Sequence, residues 1–246
     1  MKKQILATVF AAALALPFAA NAAEPIVTDK QLGGGSFSGS VNFVNQYLFR
    51  GIPQSGGIPA LQGDIGYTQP LGPVNLSVGA WGSNVDFSDG DEASVEIDYT
   101  AGLSGEVKGF SWGVGGIYYT YPGAASSLDY NFWEVYGTLG YDFKVVSAEL
   151  GINYSPENFG NSGDAVYYSG TFNVPLGKYV DLGLHLGYQT IDDNAAFGVP
   201  DYFHYQVSVG TNIAGVDLSL AWNDTDLNDS ECGKCGQFLV TVGKSF

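Results

Sequence analysis

The sequence predicts an all-β chain that folds into a transmembrane antiparallel up-and-down β-barrel of about 12 strands. Such closure is one of two ways to pair every backbone polar group inside a bilayer. Three observations predict it. From Phe37 onward, apolar and polar residues alternate with period two, in segments near the ~9–11 residues a tilted strand needs to cross. Short connections alternate with longer ones, as periplasmic turns alternate with extracellular loops. The last segment alternates and stops on a terminal aromatic residue, Phe246.

The elements follow in order. Lys2 and Lys3, the apolar stretch Ile5 to Leu16 and the small-x-small site Ala20-Asn21-Ala22 read as a signal peptide over 1–22. Its apolar core is too short for a membrane helix, which needs about 20 residues. Residues 23–35 are polar, end in a glycine run and read as a flexible periplasmic lead-in. The barrel is expected over 36–246, with strands near 37–49, 59–69, 74–85, 93–105, 110–121, 131–143, 145–155, 165–174, 179–190, 202–213, 216–223 and 237–246.

The clearest strand sets Val95, Ile97, Tyr99, Ala101 and Leu103 on one face against Glu96, Asp98 and Thr100 on the other. The first is less regular, because Asn45 interrupts an apolar face, and Trp81 falls on the polar side of the third. Short connections are read at Pro70–Pro73, Glu106–Gly109, Lys144, Pro175–Lys178 and Ala214-Gly215, with longer ones between them. An even strand number puts both barrel termini on the periplasmic side.

Composition agrees. Aromatic and charged residues each make up 14% of the chain, rich in the first and poor in the second for a soluble domain. The mean hydropathy of +0.05 fits alternating lipid-facing and lumen-facing positions. A net charge of −16, or −18 without Lys2 and Lys3, repels phosphate, so no nucleic acid is expected as a partner.

The chain resembles the TorF-like (Gcw_chp) family, assigned as outer-membrane porins of proteobacteria. The resemblance rests on Gly39-Ser-Val-Asn-Phe-Val-Asn-Gln-Tyr-Leu-Phe-Arg-Gly-Ile52, Pro59-Ala-Leu-Gln-Gly63, Glu96-Ile-Asp-Tyr99, Tyr130-Asn-Phe-Trp-Glu-Val-Tyr136 and Tyr154-Ser-Pro156. It implies a bacterial outer-membrane porin and spans nearly all of the chain after the leader.

Strand parity nominates the lumen-facing groups: Asp64, Glu96, Asp98, Glu134, Asp142, Glu149, Asp181 and Asp217, with Tyr119 and Tyr136 among the inward aromatics. Interior bases are few: His185, His204 and Arg50, the last expected near the outer rim. Unpaired carboxylates are costly in a dry interior, so their number argues for a water-filled, cation-preferring lumen that passes small hydrophilic solutes. Luminal tyrosines stacking on substrate would instead make a selective channel. A third reading is a structural or adhesive barrel acting through its acidic loops.

No convergent nucleophile, base and orienting group is evident, so an enzyme is not expected, nor is a cofactor or a metal. Cys232-Gly-Lys-Cys235 lies in the last outer loop, where a loop-stiffening disulfide is favoured over metal or redox roles. The neighbouring Asp224 to Glu231 run fails the EF-hand pattern, with Asp229 where glycine is required. Asp86, Asp89, Asp91 and Glu92 form a second acidic tip. Expected partners are outer-membrane lipid and lipopolysaccharide, and the barrel-assembly machinery through the strand ending in Phe246.

Overall fold

The computed structural model describes residues 27–28, 34–87 and 93–246. The expected signal peptide, most of the lead-in, and Asp89, Asp91 and Glu92 lie outside the described residues. Twelve strands form the barrel: β1 Ser36–Val44, β2 Ala60–Leu71, β3 Val74–Asn84, β4 Val95–Val107, β5 Phe110–Thr120 and β6 Phe132–Asp142 in the first half. The second half is β7 Ser147–Ser155, β8 Ala165–Leu176, β9 Val180–Ile191, β10 Tyr202–Ile213, β11 Val216–Thr225 and β12 Gln237–Ser245. Each pairs antiparallel with its sequence neighbours, and β1 pairs with both β2 and β12, which closes the sheet. Among the described residues no helix is long and apolar enough to cross a membrane.

The period-two pattern maps onto the two barrel faces. On β4, Val95, Tyr99 and Leu103 are exposed outside, while Glu96 and Asp98 are buried inside. The same holds around the wall, for example Val114 and Tyr118 on β5, Leu150 and Ile152 on β7, and Val240 and Val242 on β12. A continuous apolar exterior of this extent far exceeds the patches a water-soluble monomer exposes. It suits hydrocarbon.

Short connections fall at one end. Val107 pairs with Phe110 and Ile213 with Val216. The two central residues of each hairpin, Lys108-Gly109 and Ala214-Gly215, have positive φ (54° and 86°, 54° and 81°). That is the two-residue turn whose twist matches paired strands, and glycine at its second position avoids Cβ crowding. At β8 the strand runs through Pro175 to Leu176, two residues beyond the sequence expectation, since proline's fixed φ is tolerated near a strand end.

The largest departure is at β1, which ends at Val44 rather than near 49. The Asn45 side chain takes over the strand edge: its Nδ2 donates to the Phe238 carbonyl (3.0 Å) and its Oδ1 accepts from Val240 N–H (2.6 Å). The chain then leaves the wall and turns into the barrel.

The seam is completed by the C-terminal residue. Gly39 N–H donates to the Phe246 carbonyl and Phe246 N–H to the Gly39 carbonyl, both at 3.0 Å. A Cβ on Gly39 would lie 2.7 Å from the Asp64 carbonyl oxygen and 3.1 Å from the Phe246 ring. Gly39→Val is therefore expected to displace Phe246 and weaken closure. In detergent gels run without heating, the variant should show a smaller compact fraction than wild type. An unchanged fraction would mean that the seam does not depend on this contact.

Candidate functional site

The segment between β1 and β2 folds into the lumen. Leu48–Phe49 and Ile52–Pro53 pair as a small hairpin with Arg50-Gly51 at its tip, both at positive φ. Tyr47, 2% exposed, packs at 5.3 Å on the inward-facing Trp81 of β3. Phe49 meets Tyr119 of β5 edge-on at 5.7 Å. Behind the hairpin, Asp86 N–H donates to the Gln54 carbonyl (2.8 Å), tying the loop to the β3–β4 connection.

Arg50 sits inside the lumen, not at its rim. Its Nη2 is 2.7 Å from Glu134 Oε2 on β6, and its Nη1 donates to Gln189 Oε1 on β9 (2.9 Å). The guanidinium lies over the Tyr167 ring of β8 at 4.2 Å, a cation–π contact. Glu134 Oε2 also accepts from Tyr119 Oη (3.1 Å) and Asn153 Nδ2 (2.9 Å). One carboxylate is thus held by three elements of the interior.

Tyr167 is fixed from its other side. Its Oη lies 2.7 Å from Nε2 of both His185 and His204. A hydroxyl has one proton, so it can donate to one ring nitrogen and must accept from the other. Thr171 Oγ1 meets the remaining nitrogen of His185 at 2.9 Å. The network turns the Tyr167 face toward Arg50 and is closed over by the loop, which leaves these groups as a platform.

The ten groups nominated by parity do not form one continuous hydrated lining. Glu96, Asp98, Glu134 and Tyr119 are 0–2% exposed and belong to a packed layer in the half nearer the long loops. Tyr121 Oη donates to Glu96 Oε1 (3.0 Å). Tyr119 stacks on Phe132 at 4.2 Å. Tyr136 lies flat against the wall, where a Cβ on Gly102 or Gly115 would come within 2.5 Å of its Oη. At 9% exposure the ring offers little surface for stacking on a solute.

The other half differs. Glu149 and Asp142 are exposed, and Asp64, Asp181 and Asp217 are half-buried. Asp64 accepts from Ser40, Asp217 Oδ1 from Asn212 Nδ2 (2.7 Å), and Asp142 Oδ1 from the turn N–H of Lys144 (2.6 Å). These groups line a wet acidic vestibule at the short-turn end. Above it the first loop and the inward side chains packed against it share the lumen. Glu134 needs no water to offset its charge, because Arg50 reaches it across the barrel.

Two loop clusters clamp the hairpin from outside. Phe87, Tyr121, Tyr130 and Phe159 pack together on one side, with Tyr130 and Phe159 stacked at 4.3 Å. On the other, Ile52 packs against Val199, Tyr202, Leu227 and the Cys232–Cys235 disulfide. The sulfurs of that disulfide lie near Asp229, but neither remains a thiolate able to hold a metal. Acidic groups of this loop satisfy backbone instead: Asp226 Oδ1 accepts from Phe203 N–H (2.8 Å), and Glu231 Oε2 from Asn228 N–H (2.8 Å).

The inserted loop was the feature that strand reading missed. A signal for it existed: Tyr47-Leu-Phe-Arg-Gly-Ile52 is aromatic and apolar where a solvated loop would be polar, and it carries the chain's single arginine.

Solved structures similar to this chain are membrane barrels of low identity. One, described under "Unveiling the Mechanism Behind the in-meso Crystallization of Membrane Proteins", matches at 10% identity and TM-score 0.52, covering 85% of this chain and 83% of its own. The COG4313 outer membrane channel from Pseudomonas putida F1 matches at 14% identity and TM-score 0.48, covering 86% and 96%. LpxR from Salmonella typhimurium matches at 10% and 0.47, covering 85% and 99%. At such identities the likeness is one of fold. No curated protein matches the sequence. A family model does match, over residues 29–246, and by that match the chain belongs to Gcw_chp, described as a bacterial protein of unknown function.

Proposed function

We propose that the protein is a bacterial outer-membrane channel for small hydrophilic solutes, closed at rest by its first loop and opened when that loop leaves the lumen. One observation carries the reading: a short hairpin anchored at Asn45 and Gln54 enters the barrel, its tip Arg50 paired with Glu134 and its flanks packed on inward side chains of the wall. A barrel needed only as a scaffold has no use for a separable plug. The apolar exterior supports a place in a membrane. The acidic vestibule supports cation preference, which would strengthen once withdrawal of Arg50 freed Glu134. Delivery to the outer membrane through the strand ending in Phe246, and contact of the long loops with lipopolysaccharide, belong to the same proposal.

The test is conductance in planar bilayers, comparing wild type with a variant lacking residues 48–53. Wild type is expected to stay mostly closed with brief steps, and the variant to conduct steadily with a cation-selective reversal potential. Absence of steps in a correctly folded variant would sink the channel reading. Anion selectivity would refute the role given to the carboxylates.

A further inference from the structure

We propose that the lumen wall carries a binding site for solutes bearing a guanidinium group, and that Arg50 occupies it in the closed state as an internal stand-in for the solute. That a solute reaches the site by displacing the loop rests on the channel reading above; binding to the wall with the loop removed does not.

The groups that receive the Arg50 guanidinium are wall groups. Its two terminal nitrogens meet acceptors on different strands, Nη2 at Glu134 Oε2 (2.7 Å) and Nη1 at Gln189 Oε1 (2.9 Å). Its Cζ lies over the Tyr167 ring, 4.2 Å from the centre. Phe49, the preceding residue of the loop, also lies against the guanidinium at 4.7 Å and would leave with it. Wall and loop thus meet as a receptor meets a ligand.

The second observation is that these wall groups are oriented by their own neighbours in the wall. Glu134 Oε2 accepts from Tyr119 on β5 and Asn153 on β7. Gln189 Nε2 donates to the Thr190 carbonyl (3.1 Å), which aims its Oε1 at the guanidinium. Tyr167 is tied through its hydroxyl to His185 on β9 and His204 on β10. With the loop withdrawn, acceptors and ring stay in place, and a preorganised site loses little on binding. Glu134 would then lack a cation, since the described lysines are all exposed, at the short turns, near the end of β12 or in the last outer loop. The chemistry also selects among cations. A guanidinium is planar, carries its donors in a fork and is weakly hydrated, so it can serve two acceptors while lying on an aromatic face. An ammonium is a compact, strongly hydrated point charge that matches neither feature.

The probe is methylguanidinium, followed by saturation transfer from the protein to its methyl protons. In folded protein lacking residues 48–53, the signal is expected to saturate and to be displaced by arginine amide. Wild type, with Arg50 in the site, should give little signal at the same concentration. Methylammonium should bind the shortened chain at least about 10-fold more weakly, the effect of one lost charge-assisted hydrogen bond. In the same background Glu134→Gln should weaken methylguanidinium more than about 100-fold. Tyr167→Leu should weaken it by about 3- to 30-fold, the range of a cation–π contact.

Equal binding of methylguanidinium and methylammonium would show an acidic lumen that gathers any cation, and would overturn the proposal. So would binding that survives Glu134→Gln, which places the ion among the vestibule acids, or wild type binding as well as the shortened chain. Should the shortened chain fail to fold, Arg50→Ala empties the same site in the full-length protein and gives the same readout. Binding is measured without conductance, so a silent bilayer with normal methylguanidinium binding would fail the channel reading alone. Steady conductance without that binding would fail this proposal alone.

Discussion

Arg50→Met is expected to raise the open probability of the channel by about 100-fold. The substitution keeps an extended side chain but removes the cation, leaving Glu134 buried beside Tyr119 and Asn153 with no counter-charge. Breaking a buried pair by removing one partner costs roughly 3–5 kcal/mol. The wall cannot relieve that cost, because Glu134 is fixed on β6. The loop can, by leaving and admitting water. Each ~1.4 kcal/mol is tenfold in a two-state population, so the full penalty would shift the equilibrium by more than two powers of ten. The contacts of Phe49 on Tyr119 and of Ile52 on the disulfide cluster oppose release, which places the effect near the lower end.

A double variant, Arg50→Met with Glu134→Leu, separates this cause from general loosening. Replacing both partners of a buried ion pair by apolar groups is often neutral or stabilising. The double variant should therefore close again, though incompletely, since Tyr119, Asn153 and Gln189 each lose a partner. Single-channel recording, with protein matched for compact mobility in unheated gels, decides the matter. If both variants conduct alike, the ion pair is not what holds the loop.

Gly51→Val should open the channel by a separate route, leaving every charge in place. Gly51 has φ of +89°, where a β-branched residue is strained by about 1–3 kcal/mol. Its new Cβ would sit 2.7 Å from Thr225 Cγ2 on β11 and 3.0 Å from His204 Cβ on β10, adding an overpacking cost of about 1–3 kcal/mol. Both penalties exist only while the hairpin is docked. Open probability should rise by roughly two powers of ten with the folded fraction of the barrel unchanged. A lower folded fraction without conductance steps would instead show the hairpin to be an internal brace.

How much of this was legible in the sequence follows from the range of each interaction. On β4 the alternation of Val95 through Leu103 with Glu96 and Asp98 assigned both faces correctly, because side chains on a strand alternate whatever lies further away. The twelve strands and the division into short and long connections were legible for the same local reason. The first strand was read too long because Gln46-Tyr-Leu-Phe49 has strand-like composition, and only the hydrogen bonds of Asn45 to Phe238 and Val240, across the closing seam, show that the wall ends there. Tyr136 was read as inward and is inward, yet its orientation depends on Gly102 and Gly115 on two other strands.

The sequence by itself determined the barrel: period two sets the faces, turn residues set the hairpins, and pairing of β1 with β12 leaves no open edge. The tertiary structure alone decided which of the inward carboxylates are wet. Parity gives a direction, whereas hydration depends on what else occupies the space that a side chain points into. Glu149 and Glu134 both point inward, but one faces the vestibule and the other faces an arginine 84 positions away in the chain. That encounter depends on the path of a loop, and loop paths are set by contacts made across the whole lumen.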